Sequence, residues 1–187
     1  MLNFSPKNLI VITGPSGVGK TTIAEELMKK YKDIRRLVTY TTRKKRKGEK
    51  DGRDYNFVTE KKFKEMLNAG ELFERAEVYE NFYGNSLKDL KKICEKNKYC
   101  LMILDIQGAE TIKKEFPKSI GVFLTVDFEE LAKRIKARGK MSRKDFETRQ
   151  KIAKREMKKA KKFDYAVENK PGKIEEAVKK IEKLLKL

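Results

Sequence analysis

Gly14-Pro15-Ser16-Gly17-Val18-Gly19-Lys20-Thr21 fits G-x-x-x-x-G-K-[ST], a spacing whose chemistry is the cradling of phosphate. Its glycines let the backbone curl until successive N–H groups face one point, where the start of a helix adds partial positive charge. In such a loop Lys20 neutralises β- and γ-phosphate oxygens and the Thr21 hydroxyl holds Mg²⁺. Asp105 follows the apolar run Cys100-Leu101-Met102-Ile103-Leu104, the place where a metal-directed carboxylate leaves the C-terminal edge of a parallel sheet. The same residue precedes a helical pattern, so a helix N-cap is a second reading of it. Arg134, Arg138 and Arg149 place a pair on one helix face and a third on the next helix, from where their guanidiniums could surround a phosphoryl group in transfer. Taken singly, each also reads as a solvated arginine. The chain has no histidine, which excludes an imidazole base and leaves the chemistry to carboxylates, lysine, arginine, hydroxyls and a bound ion.

These residues need elements to hold them. Leu9-Ile10-Val11-Ile12-Thr13 is a short β-branched run ending at the glycine turn, the pattern of a buried parallel strand. From Thr21 onward Ile23, Ala24, Leu27, Met28 and Tyr31 recur at helical spacing. Cys100 to Leu104 and Ile120 to Val126 predict two more buried strands around a helix from Ala109 to Phe116. Asp164 to Val167 predicts a short strand, and Ile174, Ala177, Val178, Ile181, Leu184 and Leu185 an amphipathic C-terminal helix. Alternating strands and helices imply an α/β fold, a P-loop three-layer α/β/α architecture with a parallel core sheet. Between Thr39 and Leu87, Thr, Tyr, Phe and Gly replace the aliphatic runs, which predicts an inserted, partly β subdomain. Ala137 to Arg143 breaks two helical patterns and suits a mobile flap. The division expected is a core of 1–38, 88–126 and 158–187, an insertion of 39–87 and a helical lid of 127–157.

With 187 residues the chain suits one domain with an insertion. Its formal charge of +19 attracts polyanions, but much of the lysine alternates with glutamate on helical patterns such as Lys173 to Leu187. No recognition helix or stacking platform is evident, so no specific nucleic-acid partner is expected. No apolar stretch approaches the roughly 20 residues that cross a bilayer, and Met1 to Lys7 lacks the features of a secretory signal. A cytoplasmic protein without a membrane partner is expected, as monomer or homodimer. Cys94 and Cys100, without histidine, make neither a disulfide framework nor a zinc site.

GPSGVGKTT, TYTTRKKRKGEKDGRDYNF, GELFERAEVYENFYGNS, LDIQGA and RIKARG occur in this order, and along nearly its whole length the chain resembles the guanylate kinases. P-loops are widely shared; the TTR-x-x-R-x-GE-x-DG-x-DY-x-F and E-x-x-x-V-x-x-N-x-YG blocks are far more specific. The resemblance implies a parallel-sheet core, a GMP-binding insertion and an arginine-bearing lid. It implies transfer of the γ-phosphate of ATP to GMP and dGMP with Mg²⁺. ATP would be held along Gly14, Pro15, Ser16, Gly17, Val18, Gly19, Lys20, Thr21 and Thr22, with Asn169 at its base. Arg43 and Arg46 match arginines that grip the GMP phosphate, and Tyr55 and Tyr83 match tyrosines bonded to it. Arg43 joins Lys20, Arg134, Arg138 and Arg149 in the catalytic set. Glu74 matches the carboxylate that reads guanine, whose N1–H and exocyclic amine offer a donor pair that adenine lacks. Thr39 takes the place of a hydroxyl contact to guanine, and Asp105 that of an acidic group near acceptor and metal.

The chain departs from the family pattern at several points. Asn85 stands where Ser or Thr is common, giving an amide for the O6 side of guanine. Arg75 replaces a tryptophan, Lys45 and Lys47 replace prolines, and Ile103 replaces an acidic residue. Two other readings are a P-loop kinase for a different phosphorylated acceptor, such as a sugar, and a non-catalytic guanylate-kinase-like binding module. Glu74, Tyr83 and Thr39 argue against the first; intact Lys20, Thr21 and lid arginines argue against the second.

Overall fold

The computed structural model describes residue 6 and residues 8–78, 80–137 and 142–187. Strand β1 (Leu9–Thr13) is buried at every position. Its first four residues, Leu9 to Ile12, are aliphatic because the strand lies in the middle of a five-stranded sheet with helices on both faces; only Thr13, at its end, is polar. Around it run β2 (Ile34–Arg36), β7 (Tyr99–Ile103), β8 (Ile120–Thr125) and β9 (Tyr165–Glu168), in the order β2-β7-β1-β8-β9 and parallel at every pairing.

The two-residue alternation of β1 divides the core. Ile10 and Ile12 pack with Ile23, Ala24 and Leu27 of α1 (Lys20–Lys30) and with Ala177, Val178 and Ile181 of α7 (Ile174–Leu185). Leu9 and Val11 pack on the other face with Leu90 of α3 (Leu87–Lys96) and with Ala109 and Ile112 of α4 (Ile106–Glu115). Helices α5 (Phe128–Ala137) and α6 (Arg143–Met157) add Leu131, Ile135 and Ala153 to the first cluster. The result is a three-layer α/β/α core. No helix among the described residues is long and apolar enough to cross a membrane.

Two elements depart from the sequence expectation. Strand β2 is not signalled, because Ile34 is its only apolar residue beside Arg35 and Arg36; pairing with the edge of β7 makes it a strand. Helix α4 starts at Ile106, ahead of the predicted Ala109, because Asp105 caps it.

A second, four-stranded sheet has the order β4-β3-β6-β5. It comprises β3 (Tyr40–Thr41), β4 (Asn56–Phe57), β5 (Leu72–Val78) and β6 (Asn81–Ser86). One face is covered by α2 (Glu60–Asn68), whose Phe63 and Met66 pack with Leu72 and Phe82. Gly84 is required there, since a Cβ would lie 2.9 Å from Leu72 Cδ1 and 3.0 Å from Phe63 Cζ. Period-two alternation then sends Thr39, Asn85 and Tyr83 to the opposite face, and β5 contacts α4 of the core.

Candidate active site

The P-loop opens directly off β1. Gly19 sits at the N-cap of α1 with φ +100°, so no side chain covers the first N–H groups of the helix. Lys20 Nζ donates to the carbonyls of Gly14 (2.6 Å) and Pro15 (3.1 Å), lying across the loop. At Gly14, with φ +136°, a Cβ would lie 2.5 Å from the carbonyl oxygen of Leu124, so β8 and the loop touch backbone to backbone. Thr21 and Thr22 are exposed at the start of α1.

Asn169, matched by resemblance to the ATP base, is buried against this loop. Its Nδ2 donates to the Val18 carbonyl at 2.8 Å, and a Cβ on Gly19 would overlap that amide. Arg134 reaches the same place: its guanidinium lies 3.4 Å from the carbonyls of both Val18 and Asn169, while its Nε donates to Glu130 at 2.7 Å. Arg149 is half-buried on α6. Arg138 lies outside the described residues.

Asp105 Oδ1 accepts the Gly108 N–H at 2.7 Å, so the capping reading holds, and its other oxygen remains for a second role. Glu156 was not singled out by the sequence reading. It is half-buried on α6; burial raises its pKa, Lys20 lowers it and Asp105 raises it, so this carboxylate lies within electrostatic reach of the P-loop lysine. The signal available in the sequence was its spacing of seven from Arg149, which puts both on one helix face. Among the described residues no group of three or more His, Cys, Asp or Glu could hold a metal by itself. The Thr21 hydroxyl and Asp105 suit Mg²⁺, a hard cation that keeps waters and completes its shell with substrate phosphate oxygens.

The acceptor side is built by register. Tyr40 pairs with Gly84 and Glu74 with Asn85, so Thr39, Asn85 and Glu74 form one row across three strands. All are buried: Thr39 is 4% exposed, Asn85 0% and Glu74 4%. Thr39 Oγ1 donates to Asn85 Oδ1 at 3.1 Å, and Asn85 Nδ2 donates to Glu74 Oε2 at 2.6 Å. Burial pushes the Glu74 carboxyl up to about 7; Asn85 works against this and Asp105 adds to it. No cation pairs with Glu74 among the described residues.

Two residues further along β6, on the same face, aromatic rings and arginine meet. Tyr83 and Tyr55 pack edge to face with centroids 6.0 Å apart. The Arg43 guanidinium lies 5.2 Å from the Tyr55 centroid and 5.7 Å from that of Phe57. Arg43 also donates to Glu49 Oε1 at 2.7 Å, while Glu49 Oε2 accepts the Arg46 backbone N–H at 2.7 Å. Burial opposes ionisation of Glu49, but Arg43 and Arg46 hold its carboxyl below the usual range. Glu49 thus closes the 43–49 loop, a role the sequence reading did not give it. The Arg46 side chain is exposed.

A P-loop at the end of a parallel sheet, faced by a second sheet with a buried carboxylate, defines the P-loop phosphotransferase class. The family model described as guanylate kinase matches residues 6–187, and the chain belongs to the guanylate kinase family. It is 40% identical over 190 residues to the guanylate kinase of Clostridium perfringens (strain SM101 / Type A), covering 99% of this chain and 87% of that one. It is 39% identical over 181 residues to that of Prochlorococcus marinus subsp. pastoris, covering 96% and 97%. The crystal structure of guanylate kinase from Anaplasma phagocytophilum superimposes with a TM-score of 0.78 at 31% identity, covering 98% of this chain and 86% of that one. A shikimate kinase from Bacteroides thetaiotaomicron, at 19% identity and TM-score 0.50, shares the fold alone.

Proposed function

We propose that the protein transfers the γ-phosphate of ATP to GMP, and to dGMP, by direct in-line displacement with Mg²⁺. The observation that carries this reading is Glu74, a buried carboxylate with no cation beside it among the described residues. Burying an uncompensated charge is costly, and the arrangement makes sense where a ligand's donor pair completes it. The N1–H and exocyclic amine of guanine are such a pair. Arg43, Arg46, Tyr55 and Tyr83 hold the acceptor phosphate, guanidiniums supplying planar, multidentate charge and phenols completing the coordination.

On the donor side the P-loop backbone from Gly14 to Thr22 cradles the phosphates and Lys20 neutralises their charge. Thr21 and Asp105 would hold Mg²⁺, which when bound would supply neutralisation of phosphate charge. Arg134, Arg138 and Arg149 gather at the group in transfer as its charge spreads over the equatorial oxygens. No covalent enzyme intermediate is involved. Segments 39–87 and 127–157 close over the core 1–38, 88–126 and 158–187 and exclude water, which would otherwise accept the phosphoryl group. ADP release measured with GMP, dGMP, IMP, AMP, CMP and UMP tests the reading. GMP and dGMP lead by at least about a hundredfold in kcat/KM over AMP, a loss of paired polar contacts being worth that much; parity with AMP overturns it.

A further inference from the structure

We propose that Asn85 is a positioning residue for Glu74: its amide orients the carboxylate and holds it as an acceptor, and guanine is selected through that carboxylate. The proposal rests on the reading of Glu74 as the group that meets the acceptor base. Its basis is the row Thr39–Asn85–Glu74. A carboxylate only accepts, so the amide nitrogen must face Glu74, which leaves the amide carbonyl for the Thr39 hydroxyl to donate to. Both ends of the Asn85 amide therefore have protein partners, at 3.1 and 2.6 Å. This differs from the expectation that Asn85 meets the O6 side of the base.

The other carboxylate oxygen lies beside the first turn of α4. A Cβ on Gly108, in the first turn of α4, would lie 2.9 Å from Glu74 Oε1. Glu74 is thus held between Asn85 of β6 and the start of α4. The groups that act on its charge are Asn85 from β6 and Asp105 from the α4 cap. Burial and Asp105 both favour the protonated form, which cannot accept at both oxygens; the Asn85 N–H is the contact that opposes them.

The test is the pH dependence of GMP affinity, measured by titration calorimetry on the full chain. Glu74→Gln cannot ionise and separates the Glu74 limb from the titration of the GMP phosphate, which has its own pKa near 6. Asn85→Thr and Asn85→Val are isosteric and differ in one hydroxyl donor. In the parent protein affinity falls as pH drops through about 7. Asn85→Val moves that limb upward by about one pH unit and weakens binding about tenfold below it, whereas Asn85→Thr keeps the limb close to the parent. ATP affinity stays within about twofold in both, as an unperturbed P-loop requires. Should Asn85→Val fail to fold, Asn85→Ala against Asn85→Ser carries the same contrast.

A limb that stays in place while Asn85→Val weakens GMP equally at every pH overturns the proposal, since an amide touching the base or merely filling space behaves so. Glu74→Gln leaving both affinity and limb unchanged overturns the underlying reading of Glu74, and the proposal with it. An effect of Glu74→Gln without a limb shift in Asn85→Val overturns the proposal alone.

Discussion

Asn169 Nδ2 lies 2.8 Å from the carbonyl oxygen of Val18, joining the end of β9 to the P-loop across 151 residues of chain. The loop's shape therefore depends on the far end of the sequence. Asn169→Ala leaves the buried Val18 carbonyl only its 3.4 Å contact with Arg134, and an unsatisfied buried acceptor costs about 1–3 kcal/mol. The KM for ATP rises about tenfold on that scale while the KM for GMP moves little. Steady-state rates with each substrate varied in turn check the split.

Lys20 lies across the mouth of the same loop, and its removal takes away charge that no neighbour replaces. Lys20→Ala lowers kcat by at least about 10²–10³, the range for losing one preorganised electrostatic contact. Urea unfolding shows a folded protein that has lost no more than about 1–3 kcal/mol with the contacts to the Gly14 and Pro15 carbonyls. Normal turnover in this variant removes the P-loop role assigned to it.

Glu74 links function to stability with a definite sign. Its native value of about 7 lies above the ordinary 4.5, so the folded protein binds more protons between those values than the unfolded chain. Stability from this group is greatest at the acidic end and declines as pH rises from about 4.5 to 7. At pH 8 the ionised carboxylate costs up to about 3 kcal/mol, taking 1.36 kcal/mol per pKa unit. Glu74→Gln therefore raises the unfolding free energy at pH 8, not at pH 4, while abolishing preference for GMP over AMP. Thermal or urea unfolding at both values checks the direction.

Gly108 lets α4 approach the carboxylate. In Gly108→Ala the new methyl meets Glu74 Oε1 at 2.9 Å, and the side chain yields by turning away from Asn85. The KM for GMP increases about tenfold or more, the loss of one hydrogen bond to a charged group being worth roughly 1.5–3 kcal/mol. The KM for ATP is unaffected, and competition binding with each nucleotide separates the two.

Arg43 combines a 2.7 Å ion pair to Glu49 with contacts to the Tyr55 and Phe57 rings. Lysine keeps the charge but loses the planar fork. Arg43→Lys is expected to raise the KM for GMP by about tenfold or more, because the planar fork suited to bidentate phosphate binding and the packing on the Tyr55 and Phe57 rings are both lost. A KM equal to the parent's overturns the assignment.

Much of the core was legible locally. β1 and its glycine turn can be read because a central parallel strand must be continuously apolar and a phosphate cradle needs glycine, lysine and threonine at fixed spacing. α1 and α7 follow from helical periodicity alone. β2 escaped, because a three-residue strand with two arginines carries no period and exists by virtue of the edge it pairs with. Asp105 can be read in the sequence as a helix cap, but its hydrogen bond to Gly108 needed coordinates.

The sequence by itself determined the phosphate loop, the order of core elements and the family, because these depend on residue types at short separations. Only the tertiary structure decided which acceptor-side groups meet. Thr39, Asn85 and Glu74 become neighbours through strand register, and Gly108 and Asp105 join them through packing of α4 on β5. Register and packing are cooperative properties of the whole sheet, so an Asn–Glu contact at 2.6 Å leaves no local trace in the chain. For the same reason the contact of Asn169 with the Val18 carbonyl appears only in the fold.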